Sequence, residues 1–341
     1  MTDAAAGRLT DLLAGTRRLA LVGLAKNTGK TETLAAILRG LGQRGTAVGV
    51  TSIGRDGEAH DVIDARISKP RILLPAGSLV ASTDALVRSS GLAHERLAQT
   101  GIRTPLGEVV IARLTQRGAV EVAGPSAADD LARVSDAMLE YGAEQVFVDG
   151  SIDRRAASSP AVADGLVVAT GAVLGEDIEQ VVTTTRDAVE LVRLPIAGDT
   201  DEAIALERKL VLNAEPTKIA ALLGDHPSAS TFAVEGALSE RFLEGLLVAR
   251  TARAGRELRI VARDPTKVFL THHGPNWYRR QGLAIEVRET IELKAITVNP
   301  VAPQSHRFDS RRLRELIEAA VGDVPVLDVL DPRYGAAPSR P

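Results

Sequence analysis

Short apolar runs alternate with stretches of helical period along nearly the whole chain. Leu19 to Val22 is an unbroken apolar run, the pattern of a strand buried on both faces. A glycine-bearing loop follows. Leu34, Ile37, Leu38 and Leu41 then recur at helical spacing, which predicts an amphipathic helix stopped near Gly45. Thr46–Ser52 predicts a second buried strand, so the chain opens on a strand, helix, strand unit of the right-handed crossover type. Arg71–Ser82 carries β-type residues broken by Pro75 and Gly77, and Ser82 or Thr83 is placed to cap a short helix. Val109–Val122 predicts a hairpin turning at Gln116-Arg117-Gly118. Leu131, Val134, Met138 and Tyr141 mark one face of a helix capped by Ser126 and stopped by Gly142. Gln145–Asp149 and Leu166–Thr170 predict further buried strands, and Glu176–Leu191 a helix.

Between Pro195 and Asp201 the composition loosens, which marks a boundary or crossover. Alternation then resumes, with strands expected at Leu210–Leu212, Thr231–Gly236, Leu258–Ala262, Val268–Leu270, Ile296–Val298 and Val324–Val329. Helices are expected at Ser239–Val248 and Ser310–Ala320. The expected fold class is α/β, a mostly parallel sheet flanked by helices with a C-terminal α/β region. The expected division is a first domain over 1–197, a second region over 198–330 and a tail over 331–341. The pattern leaves open whether the later strands extend the first sheet or form another.

Composition narrows the function classes. A chain of 341 residues is long enough for two domains. Aromatic residues make up only 3%, so the core is aliphatic and a base-stacking nucleic-acid surface is disfavoured. The net charge of −3 provides no basic field toward nucleic acid or an anionic membrane. The absence of cysteine excludes disulfides, thiolate metal sites and cysteine nucleophiles. No apolar stretch is long enough to span a bilayer, and Met1–Gly7 lacks the basic-then-apolar pattern of a secretory signal. The expectation is a cytoplasmic protein with neither nucleic-acid nor membrane partners.

The chemistry concentrates at Gly23–Thr31. A buried strand, a glycine-framed loop and a helix form a phosphate cradle, in which backbone N–H groups and the helix N-terminus face an anion. Lys30 is placed to reach the outer phosphates and the Thr31 hydroxyl to ligate Mg²⁺. The expected nucleotide-binding set is Gly23, Lys26, Asn27, Thr28, Gly29, Lys30, Thr31 and Glu32. Lys26 is a second loop cation, in reach of a phosphate or simply solvated. Asp149 closes an apolar run, the position from which an acid holds Mg²⁺ in phosphoryl-transfer proteins. Lys30 and Asp149 are therefore the expected catalytic pair, and Thr31, Asp149 and Asp56 the expected metal ligands. Asp56 lies with Glu58 and Asp61 in an acidic loop after the second strand, and a solvated loop is the competing reading. Asp153, Arg154 and Arg155 contact phosphate or a partner, or else cap a turn and face water. Asp264–Lys267, Thr271–Trp277 and Thr297–Pro303 carry more polar detail than a scaffold needs. His272 and His273, being adjacent, point in different directions, which favours structure or partner contact over a metal pair.

Five residues separate Gly23 from Gly29, one more than in the common phosphate loop. That longer form is similar to the loop of dethiobiotin synthetase and of the cobyrinic and cobyric acid synthetases. Gly23–Leu34, Val148–Ser158, Asp264–Leu270 and Ile296–Pro303 with Phe308-Asp309 together resemble the P-loop subunit of the lysine 5,6-aminomutase reactivating factor. The resemblance spans most of the chain in motif-sized islands, and the first island is shared with other NTPases. It implies a P-loop NTPase domain of the dethiobiotin-synthetase group, using ATP and Mg²⁺ through Lys30, Thr31 and Asp149. It implies ATP-driven release of damaged cobalamin from an adenosylcobalamin-dependent aminomutase, with a second reactivase subunit as partner. In Min-type ATPases the extra lysine stands five residues before the main one. Here Lys26 stands four before Lys30, so that dimer mechanism does not transfer directly, although a homo-oligomer is left open. Two other readings compete: an ATP-dependent ligase or kinase of the dethiobiotin-synthetase kind acting on a small molecule, and a nucleotide-binding module without turnover.

Overall fold

A computed structural model describes residues 4–54, 71–151, 155–250, 257–303 and 306–331. The chain divides into two compact units, Met1–Thr183 with Glu292–Pro341, and Thr184–Ile291. The first unit begins with α1 (Ala4–Leu12), β1 (Arg18–Gly23), α2 (Lys30–Gln43) and β2 (Val48–Ser52). It continues through β3 (Ile72–Leu74), β4 (Leu79–Thr83), α3 (Asp84–Ser89), β5 (His94–Thr104), β6 (Gly107–Leu114) and β7 (Gly118–Val120). Next come α4 (Ala128–Glu140), β8 (Gln145–Ser151), β9 (Gly165–Gly171) and α5 (Ile178–Val192), the last running on into the second unit.

The second unit contains β10 (Ile204–Ala205), α6 (Arg208–Asn213), α7 (Pro216–Asp225), β11 (Thr231–Val234), β12 (Leu238–Ser239) and α8 (Glu240–Arg250). It ends with β13 (Leu258–Ala262), β14 (Val268–Phe269), α9 (Pro275–Arg280) and β15 (Leu283–Val287). The chain then returns to the first unit for β16 (Glu292–Asn299), α10 (Ser310–Val321) and β17 (Val326–Leu327).

The main sheet has the order β17-β16-β9-β1-β8-β2-β4-β6-β5. It is parallel from β17 to β4 and finishes in the antiparallel strands β6 and β5. Alternate residues of each strand serve opposite layers. Leu19, Leu21, Val50, Phe147 and Val167 pack with Leu9 of α1, with Leu13 just after it, and with Leu34, Ile37 and Leu41 of α2. Val146 and Val148, one residue out of phase with Phe147, pack on the other side near Leu131, Val134 and Met138 of α4. Helices on both faces bury both faces, which is why these strands read as unbroken apolar runs.

In the second unit, β10-β11-β13-β15 is a parallel sheet in strict chain order. Repeated right-handed crossovers in one direction place every connecting helix on the same face. Val211, Ile219, Phe242, Leu246 and Tyr278 accordingly share one core with Phe232, Ile260 and Ile285. The short strands β12 and β14 pair separately.

Three expectations are corrected. The hairpin partner of β6 is β5, whereas β7 pairs with β3, so the predicted turn at Gln116–Gly118 joins strands of different sheets. β5 lies at the sheet edge with most of its residues exposed or half-buried, so its polar sequence carries no apolar alternation. Leu210–Leu212 is helical, in α6, because three apolar residues are too few to distinguish a buried helix from a strand. The division at 197/198 gives way to an inserted unit over Thr184–Ile291, since β16 and β17 rejoin the first sheet beside β9. Helix α7 and strand β15 also exist beyond the elements expected from sequence. No helix among the described residues is long and apolar enough to cross a membrane.

Candidate functional site

The Gly23–Thr31 loop rises from β1 near the middle of the main sheet, at the carboxyl ends of its parallel strands, where open α/β sheets bind ligands. It starts along β9, with Leu24 N donating to Ala169 O at 3.0 Å. Thr28 is buried, and its hydroxyl donates back to Ala25 O at 3.0 Å, folding the loop onto itself. Two residues take the left-handed conformation, Asn27 at φ 65° and Gly29 at φ 83°. Gly29 is the N-cap of α2, and a Cβ there would stand 3.0 Å from Asn299 Cβ, so both conformation and space call for glycine. The helix ladder opens with Thr33 N donating to Gly29 O at 2.9 Å. The N–H groups of Lys30, Thr31 and Glu32 therefore have no acceptor within the helix and lie at its electropositive end.

Lys30 leans across to β8. Its Nζ lies 2.6 Å from Asp149 Oδ1 and donates to Gly150 O at 2.7 Å. Asp149 is brought there by register, because β8 runs parallel to β1 with Leu21 opposite Asp149. Both side chains are about three-quarters buried (24% and 26% exposed), so the pair is partly shielded from water yet reachable. Thr31 and Glu32 stand exposed in the first turn of α2, and Lys26 and Asn27 are exposed in the loop. The structure places Gly23, Lys26, Asn27, Thr28, Gly29, Lys30, Thr31 and Glu32 along one loop and the helix start that follows it, and brings Asp149 to Lys30. Asp56, with Glu58 and Asp61, lies outside the described residues, as do Asp153 and Arg154.

Two residues join this site that the sequence left unconnected to it. Thr33 Oγ1 donates to Gly29 O at 3.1 Å and lies 2.7 Å from Thr297 Oγ1 of β16. One strand position pair further on, Asn299 Nδ2 donates to Asn27 O at 2.8 Å. The sequence signals there were the polar detail of Thr297–Pro303 and the resemblance carried by Ile296–Pro303. A cavity of about 720 Å³ opens beside Asn299 at the carboxyl ends of β16 and β17, lined by Val301, Arg307, Phe308, Asp309 and Asp328 among others.

The remaining polar segments lie in the second unit and are tied into its scaffold. Asp264 caps a short turn, accepting from Thr266 N at 2.8 Å and from the Thr266 hydroxyl. Glu240 is buried and accepts from Thr271 N (2.7 Å), His272 N (3.1 Å), His273 N (3.2 Å) and the Tyr278 hydroxyl (3.0 Å). Burial pushes the Glu240 carboxyl up, but these donors outweigh it and hold it below the ordinary range. Tyr278 is raised by burial and by donating to the Glu240 carboxylate. Glu240, Glu244 and His272 bring three ligand-type atoms within 4.8 Å of one another. Both Glu240 oxygens are already engaged, so a cation would have to displace main-chain donors. His273 stacks on Trp277 at 3.8 Å, a packing role.

No family model matches the chain, and no curated protein matches it. Among solved structures, pNOB8 ParA bound to nonspecific DNA matches over 62% of this chain and 76% of that one, with 12% identity and a TM-score of 0.28. At that score the likeness carries no weight, and the architecture rests on the strand order and loop geometry above.

Proposed function

We propose that the first unit binds ATP through its phosphates and hydrolyses it with Mg²⁺. The observation that carries this reading is Lys30 held against Asp149 at the mouth of a left-handed loop and a helix N-terminus. The residues present fit the implied groups. Main-chain N–H groups and Lys30 suit phosphate oxygens, and Thr31 with Asp149 offers the hard oxygen donors that Mg²⁺ takes. Mg²⁺, when bound, supplies neutralisation of phosphate charge. The chain itself does the rest: the loop amides and Lys30 orient the phosphates and offset their charge, and partial burial makes each of these contacts stronger than in water. Little covalent work is required of the protein in such a transfer.

The finer reading is an ATP-driven reactivating factor for an adenosylcobalamin-dependent aminomutase, partnered by a second reactivase subunit. Its support is the resemblance of the four sequence segments. Hydrolysis frees a loop that the terminal phosphate had ordered, and a client protein feels the change.

The test is steady-state ATP hydrolysis by the full chain with and without Mg²⁺. Lys30→Ala is expected to abolish turnover; turnover unchanged in that variant overturns the phosphate-loop reading. Stimulation by an inactivated cobalamin-dependent aminomutase supports the reactivase, whereas stimulation by a small carboxylic-acid or amine acceptor alone points to the ligase class instead.

A further inference from the structure

The phosphate loop is braced by a strand that is not its neighbour. β9 lies between β1 and β16 in the sheet, yet β16 reaches the loop and helix α2 at two points. Thr297 and Asn299 are two residues apart on a regular stretch of β16, the register shift lying upstream at Leu293/Ala295, so they share one face. Thr297 meets Thr33, and Asn299 meets Asn27. The Asn299 amide is oriented by its own network: Oδ1 accepts from Val301 N at 3.1 Å, which leaves Nδ2 to donate to Asn27 O. The carbonyl it holds belongs to a residue at φ 65°, a conformation that costs a non-glycine residue about 1 kcal/mol and persists only when its surroundings hold it. The Cβ of Asn299 also closes against Gly29, the other left-handed residue. Gly171 at the end of β9 makes the approach feasible, because a Cβ there would stand 2.4 Å from Asn299 O.

We propose that Asn299 is a positioning residue that holds the phosphate loop in its binding conformation from the far side of β9. The proposal rests on the reading of the loop as a phosphate site. Asn299 touches the loop carbonyl and acts on the ligand through the loop, so its effect falls on every phosphate-bearing ligand alike, whatever base is attached.

The experiment measures binding of tripolyphosphate, which has neither base nor ribose, and of ATP to the full chain by calorimetry. The variants are Lys30→Ala, Asn299→Ala and Asn299→Asp. Asn299→Ala is expected to weaken tripolyphosphate and ATP by the same factor, about tenfold, the value of one hydrogen bond of this kind. Asn299→Asp turns an oxygen toward Asn27 O, so its binding is lost at about pH 8. Binding returns toward about pH 5 as the carboxyl, raised by the facing carbonyl, gains a proton and can donate. Wild type shows no such recovery when the two are compared as a ratio, and an unfolded variant cannot produce it. Unchanged tripolyphosphate binding in Asn299→Ala, with ATP alone weakened, overturns the proposal and makes Asn299 a reader of the nucleoside. A wild type whose tripolyphosphate binding is absent or insensitive to Lys30→Ala overturns the phosphate-site reading itself.

Discussion

Lys30 gives two of its three ammonium donors to Asp149 Oδ1 and Gly150 O, so a phosphate and a cation would compete with the 2.6 Å ion pair for these groups. On the proposed function, the ion pair is a resting arrangement that nucleotide and metal would exchange for their own contacts. Removing the acid separates the two effects. Asp149→Asn leaves Lys30 without its counter-charge and removes the proposed metal ligand. Nucleotide affinity measured in chelator is expected to rise about three- to tenfold, the scale of a partly exposed ion pair, and the gain on adding Mg²⁺ to vanish. A variant that keeps the Mg²⁺ gain would exclude Asp149 as the metal's partner. Both residues were legible in the sequence, Asp149 because it ends an apolar strand run and Lys30 because it ends the glycine-framed loop that follows one. Asn299 was not, since it meets Asn27 across 272 residues of chain and only the sheet order joins them.

At the scale of elements, the polar motifs of the second unit hold its scaffold together. The polar run Thr271–Trp277 sits at the foot of α9, and Glu240 in the first turn of α8 collects its main-chain donors. Because the folded carboxyl titrates below its unfolded value of about 4.3, this contribution to stability is complete above that pH and fades as pH falls through it. Glu240→Ala is expected to cost about 1–3 kcal/mol near neutrality through the donors left without an acceptor. The loss should appear as faster amide exchange at 271–273, and the gap from wild type should narrow below about pH 4. A gap that stays constant with pH would mean that packing, and not the carboxylate, is responsible. The elements that sequence misplaced had different causes. Nearly all of β5 is exposed or half-buried, so it carries no apolar alternation, and Leu210–Leu212 is too short to reveal its period.

At the scale of the molecule, the core around β1, β8 and α2 and the core around Phe232, Phe242 and Ile260 share no residue. The second core is assembled entirely from residues of the inserted unit. Phe242→Ala removes a fully buried ring, at a cost of about 3–5 kcal/mol. Exchange protection is expected to fall across 184–291, with tripolyphosphate affinity at the Lys30 loop unchanged. A matching loss of affinity would show that the two cores are energetically one.

What the sequence determined by itself was local: apolar strands, amphipathic helices, and a glycine-framed loop ending in Lys30 and Thr31, each encoded within a few neighbouring residues. Those short-range signals suffice for the class of fold and for one end of the site, because strand burial and helix period are properties of contiguous chain. Only the tertiary structure decided that β16 returns past an inserted unit to lie beside β9, which brings Thr297 and Asn299 under the loop. Strand order depends on which apolar faces find each other across the whole chain, and no local period records that choice.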